Sequence, residues 1–118
     1  MKEQIYQSKI IKWIKKKGGT AITGTLPTGE ADIQGGYPYH GILRNIMIEV
    51  KTEFDYHRVM KCVREIDGRY VIAEDCKGLK KHEPLQILKL NNVRDLGGWA
   101  LLAFSVNQVE RYIARESK

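Results

Sequence analysis

Apolar residues near the start of the chain recur at helical spacing. Over residues 2–17, Tyr6, Ile10 and Ile14 fall on one side while Lys9, Lys12 and Lys16 fall opposite, which predicts an amphipathic helix ended by Gly18-Gly19. Glu3 is out of place, since its spacing sets it on the apolar side. A carboxylate turned inward needs a partner, and a metal ion would be one. Residues 20–25 are β-branched and predict a strand, 26–29 have turn chemistry, and 30–34 read as a short second strand before Gly35-Gly36-Tyr37-Pro38 breaks the chain. Residues 42–51 make the clearest strand, with Ile46, Ile48 and Val50 on one face and Met47, Glu49 and Lys51 on the other. Periodicity is mixed over 54–65, and 69–73 predict a strand after a turn at Asp67-Gly68. Pro84 suits a helix start, with Leu85, Leu88, Asn92 and Leu96 marking its apolar face up to Gly97-Gly98. Residues 99–104 form a continuous apolar run suited to a buried strand. Ser105 with Gln108 forms a capping box for a last helix bearing Val109, Tyr112 and Ile113.

This order of elements describes one α/β domain over residues 1–118, and that length has room for a single core. The apolar runs fall far short of the roughly 18 residues of a membrane span, and no signal-peptide pattern opens the sequence, so an intracellular protein without a membrane partner is expected. In that setting, and without CxxC spacing, Cys62 and Cys76 are expected to be reduced thiols. His40, His57 and His82 lack zinc-site spacing with either cysteine. A formal net charge of +6 favours a polyanionic partner such as nucleic acid. The candidate phosphate contacts are Lys15, Lys16 and Lys17, then Arg58, Lys61 and Arg64, then Lys77, Lys80 and Lys81. Tyr37-Pro38-Tyr39-His40 reads as a loop tip whose rings could stack on bases or pack between subunits, and Trp13 as core or interface.

Metal-assisted phosphodiester cleavage needs carboxylate oxygens converging on a cation, together with a group that orients or polarises the attacking water. Asp32 lies before the Gly-rich break, and Ile48-Glu49-Val50-Lys51 ends the best strand, so an acid and an amine share one strand face. An E-x-K pair alone is common on solvated strands. The combination of Glu3, Asp32, Glu49 and Lys51 is what points to catalysis.

Gly29-Glu30-Ala31-Asp32, Ile48-Glu49-Val50-Lys51-Thr52, the later helix with Gln86, and the run from Gly97-Gly98-Trp99 to Ser105 resemble the successive motifs of the virus-type replication-repair nuclease (VRR-NUC) family, a branch of the PD-(D/E)XK nucleases. The resemblance covers most of the chain except residues 54–82, which look like an insertion. It implies a restriction-endonuclease-like mixed β-sheet flanked by helices, dependence on Mg²⁺ or Mn²⁺, and cleavage of branched or flapped DNA. By motif position, Asp32 and Glu49 would be metal ligands, with the Val50 carbonyl as a third and Glu3 contributing directly or through water. Lys51 would orient the water, and Gln86 would lie beside the active site. Where the family often has proline before the first catalytic aspartate, this chain has Ala31, which can adopt the same extended backbone. Small members of the family resemble homodimeric junction resolvases. The alternatives are a flap or restriction-like nuclease and a non-catalytic DNA-binding module of the same fold.

Overall fold

The computed structural model describes residues 3–25 and 31–118, with residues 24, 25, 31 and 32 described by backbone alone. The elements run α1 (Glu3–Lys16), β1 (Thr20–Thr25), β2 (Ala31–Tyr39), β3 (Ile42–Val50), α2 (Glu53–Met60), β4 (Val63–Ile66), β5 (Arg69–Ile72), α3 (Glu83–Asp95), β6 (Trp99–Ala103) and α4 (Val106–Glu116). The turn expected at 26–29 and the strand start at Glu30 lie outside the described residues.

Four strands form a mixed sheet in the order β1-β2-β3-β6, and β4 and β5 form a separate hairpin. β1, β2 and β3 pair antiparallel in a meander, whereas β6 joins β3 in parallel. A parallel neighbour needs a long crossover, and α2, the β4-β5 hairpin and α3 supply it. Helices cover the sheet, so the fold is a compact α/β domain with a mixed sheet flanked by helices.

The strand faces divide the core in two. Ile33, Ile46, Ile48, Val50, Trp99, Leu101 and Ala103 pack with Ile10 and Ile14 of α1 and with Val109 and Ile113 of α4. Ala100 and Leu102 face the other way and pack with Val59, Val63, Tyr70, Ile87 and Leu90. All five residues of β6 are buried, as its unbroken apolar run predicts. β6 also has its outer edge sealed: the Tyr112 hydroxyl accepts from the Ala100 N–H at 3.3 Å, the Tyr70 hydroxyl accepts from the Leu102 N–H at 3.1 Å, and Arg94 Nε donates to the Ala100 carbonyl at 2.7 Å.

Three sequence expectations are corrected. The Gly35-Gly36 segment does not break the chain, because β2 runs through it to Tyr39. Glycine is needed there for close approach, since a Cβ on Gly35 would collide with the Thr20 carbonyl of β1. Pro38 lies past the last residue paired with β1, so its missing N–H breaks no rung on that side. Tyr37 and Tyr39 therefore belong to the strand, and the tight turn falls at His40-Gly41, with φ of 50° and 82°. Trp13 is half-buried against the core and stacks on Tyr37, with ring centroids 5.5 Å apart.

The second correction concerns α3. Leu85, Leu88 and Leu96 are exposed, and the helix instead buries Glu83, Gln86, Ile87, Leu90 and Asn91. Counting apolar residues selects the wrong face because Glu83, Gln86 and Asn91 are polar yet turned inward, two of them bonded there. Asn91, for example, accepts from the Tyr70 N–H at 2.8 Å and donates to the Tyr70 carbonyl at 2.9 Å. The third correction is that Cys62 and Cys76 are joined as a disulfide, their Cα atoms 5.3 Å apart. A separation of 14 residues carries no local signature, so only the return of the chain after β5 reveals the pair.

The last helix follows expectation: Ser105 Oγ accepts from the Gln108 N–H, and Val109, Tyr112 and Ile113 are buried. The Gln108 side chain reaches back to the Phe104 N–H at 2.6 Å, one residue earlier than in a standard capping box. Among the described residues, no helix is long and apolar enough to cross a membrane.

Candidate active site

The antiparallel register of β2 and β3 sets Asp32 directly opposite Glu49. Positions opposed in this way belong to the same sheet face, so residues 17 apart in sequence become cross-strand neighbours. Glu49 is fully buried. Its register partner on β6 is Leu102, which places it on the α3 side of the sheet. Val50 points the other way, into the core beneath α1 and α4.

Lys51 comes just after β3, yet its N–H still donates to the Ala103 carbonyl at 3.0 Å, so the strand alternation carries through it. Its side chain is only 2% exposed. The ammonium donates to Glu83 Oε2 at 3.1 Å, from the first turn of α3. Thr52 then caps α2 by accepting the Asp55 N–H at 3.2 Å, so the chain passes from the candidate amine straight into a helix.

That helix carries Arg58, whose guanidinium grips Glu83 with both Nη atoms at 2.8 Å. Glu83 Oε1 also accepts the Lys80 N–H at 2.6 Å. Arg58 is fixed in turn by Asp55 at 3.3 Å and by the Gly78 carbonyl at 2.6 Å. Burial pushes the Glu83 carboxyl up, but the Arg58 bonds, the Lys80 N–H and the Lys51 ammonium together outweigh it and bring it down to about 2. Those same carboxylates raise the Arg58 guanidinium against the opposing effect of its partial burial, with the Glu83 hydrogen bond the largest influence.

Gln86 lies one turn after Glu83, 3% exposed, and neither atom of its amide has a protein partner among the described residues. The structure thus sets Glu49, Lys51 and Gln86 on the α3 side of the sheet, with position 32 opposite Glu49 in the strand register. Glu3 opens α1, half-buried, and the buried side of that helix packs on the opposite face through Ile10 and Ile14. Among the described residues, no three His, Cys, Asp or Glu side chains form a group able to hold a metal ion. The Asp32 side chain lies outside that description, and what the backbone register gives is position 32 directly opposite Glu49.

Lys15, Lys16, Lys17, Lys77, Lys80 and Lys81 are all exposed. Arg58 is not, being committed to Glu83 and Asp55, which removes it from the basic cluster expected with Lys61 and Arg64. Glu83 is the buried charged residue of this candidate site that sequence reasoning missed. The signal was its place one turn before Gln86 on the same helical face, masked by Pro84, which made the helix start look like simple capping. No family model, curated protein or solved structure matches this chain.

Proposed function

We propose that the chain is a divalent-metal-dependent DNA endonuclease with a restriction-endonuclease-like fold of the PD-(D/E)XK type. The observation that carries this reading is the strand register, which sets Asp32 opposite Glu49, two residues before the buried Lys51. In this reading Asp32 and Glu49 would hold Mg²⁺ or Mn²⁺, with the Val50 carbonyl as a further donor, while Glu3, on the helix that packs against the opposite face, is left out of the metal site. The bound ion supplies charge neutralisation at the phosphate and a more acidic water. Lys51 contributes a fixed cation that orients the attacking water, and Gln86 offers a buried amide beside it. The exposed lysines of the α1 end and of residues 77–81 hold the DNA backbone through charge, independent of sequence.

The substrate we propose is branched DNA, cut by a homodimer of junction-resolvase type, because two sites related by a twofold axis suit paired nicks across a four-way junction. A second reading, a DNA-binding module without catalysis, draws support from one observation: the Lys51 ammonium is engaged by Glu83. Cleavage of a labelled four-way junction beside flapped and linear controls, in Mg²⁺, Mn²⁺ or EDTA, separates them. Metal-dependent symmetric nicking that disappears in Lys51→Ala is expected. Cutting of flaps alone would replace the resolvase assignment with a flap nuclease, and binding without cleavage in any metal would leave the module reading.

A further inference from the structure

Lysine is a poor choice for a fixed point charge unless something holds it. Its four-carbon stem is flexible and its ammonium is strongly hydrated, so a buried lysine loses both rotamer freedom and water. Lys51 is nonetheless 2% exposed, on the same strand face as Glu49. What receives it is a carboxylate saturated with donors: Glu83 takes Lys51 and Arg58 on one oxygen, Arg58 and the Lys80 N–H on the other. Arg58 is anchored independently by Asp55 on its own helix and by the Gly78 carbonyl on the strap that follows β5. A buried ion pair of this kind is not an efficient stabilising device, because a packed apolar pair of similar volume commonly does as well. Its distinctive effect is geometric, since a planar guanidinium fork locks the carboxylate in one orientation and the carboxylate then fixes the amine.

We propose that Glu83, clamped by Arg58, is a positioning residue that fixes the Lys51 ammonium on the strand face that carries Glu49, the residue whose register partner on β2 is position 32. The inference rests on the nuclease reading for its catalytic consequence, but the Glu83–Lys51 latch can be tested apart from it. Arg58 and the strap at residues 77–81 both belong to the crossover between β3 and β6, so that crossover supplies the support of the site. Reactions that depend on a positioned group lose rate when it is displaced by about an ångström, even where binding is unchanged.

Acetylation of lysines in the folded protein, followed by mass spectrometry, reads the latch directly in wild type, Glu83→Gln and Arg58→Lys. In wild type Lys51 should react at least about tenfold more slowly than exposed Lys12 and Lys16. Glu83→Gln should raise the Lys51 rate on the order of tenfold while leaving Lys12 and Lys16 unchanged. On a four-way junction with Mn²⁺, the same variant should lower kcat about ten- to a hundredfold with KM within about twofold. Arg58→Lys keeps the charge and loses the fork, so it should give a smaller change in the same direction, and it carries the test if Glu83→Gln does not fold. Unchanged Lys51 labelling in both variants, or cleavage at or above the wild-type rate in a folded variant, overturns the proposal. If wild type cleaves no branched, flapped or linear DNA, the nuclease reading falls and the catalytic role of the latch falls with it. The labelling contrast would still decide whether Glu83 holds Lys51.

Discussion

Acid should weaken this protein through Glu83. The Glu83 carboxyl is held at about 2 in the folded chain against an ordinary value of 4.5. At about 1.4 kcal/mol for each tenfold change in proton affinity, that displacement corresponds to about 3 kcal/mol of folding free energy at neutral pH. Solvent screening takes little from it, because the side chain is 1% exposed. The direction follows from the depressed value: the contribution is complete above pH 4.5, where the unfolded carboxyl is ionised, and is lost as pH falls toward 2. Near pH 3 about 1 kcal/mol should remain. Urea unfolding of wild type and Glu83→Gln at pH 7, 5, 4 and 3 measures this, since the difference between the two curves cancels the titration of other carboxylates. The variant should be less stable by about 3 kcal/mol at pH 7, and the gap should narrow below pH 4.5. A gap under about 1 kcal/mol at pH 7, or one that stays constant down to pH 3, would refute the assignment of Glu83 as the centre of a buried ion cluster.

Other consequences are open to the same equipment. Reducing the Cys62–Cys76 disulfide, or replacing both residues with serine, should cost about 3 kcal/mol for a loop of this length, read as a lower urea midpoint in dithiothreitol. Gly35→Ala must drive β1 away from β2 and should cost about 2 kcal/mol or more, whereas Gly41→Ala, where the added carbon meets open space, should cost only the strain of a positive φ. Tyr70→Phe leaves the buried Leu102 N–H without its acceptor and should destabilise by about 1–3 kcal/mol in thermal unfolding. Burial pushes the Tyr70 phenol up to about 12, so wild type should lose stability as pH rises from 10 toward 12, and this part of the alkaline loss should be absent in the phenylalanine variant.

Periodicity was informative wherever a face was uniformly apolar. The strand pattern over Ile46, Ile48 and Val50, the buried run of β6 and the capped last helix are all where the hydrophobic spacing puts them. It misled where polar residues point inward, because Glu83, Gln86 and Asn91 look solvent-facing until their surroundings are known. Glycine misled for a related reason, since the same residue permits both a chain break and a close strand approach, and Gly35 does the second. Asp32, Glu49 and Lys51 were legible as candidates because they are close in sequence to the strand that aligns two of them. Glu83 and Arg58 were not, because their meeting spans 25 residues and depends on how α2, the hairpin and α3 dock.

The crossover connection has a consequence for the order in which the site can be assembled. Asp32 and Glu49 meet across a hairpin, a short closure that costs little chain entropy, while Lys51 and Glu83 are separated by 32 residues and meet only once α3 has docked. A chain that closes its shorter loops first therefore has its acidic positions aligned before its amine is anchored. The converse holds on opening: if α3 lifts locally while the meander stays paired, Lys51 loses its anchor and Asp32 keeps its register with Glu49. Anchoring of the amine therefore waits on the docking of α3.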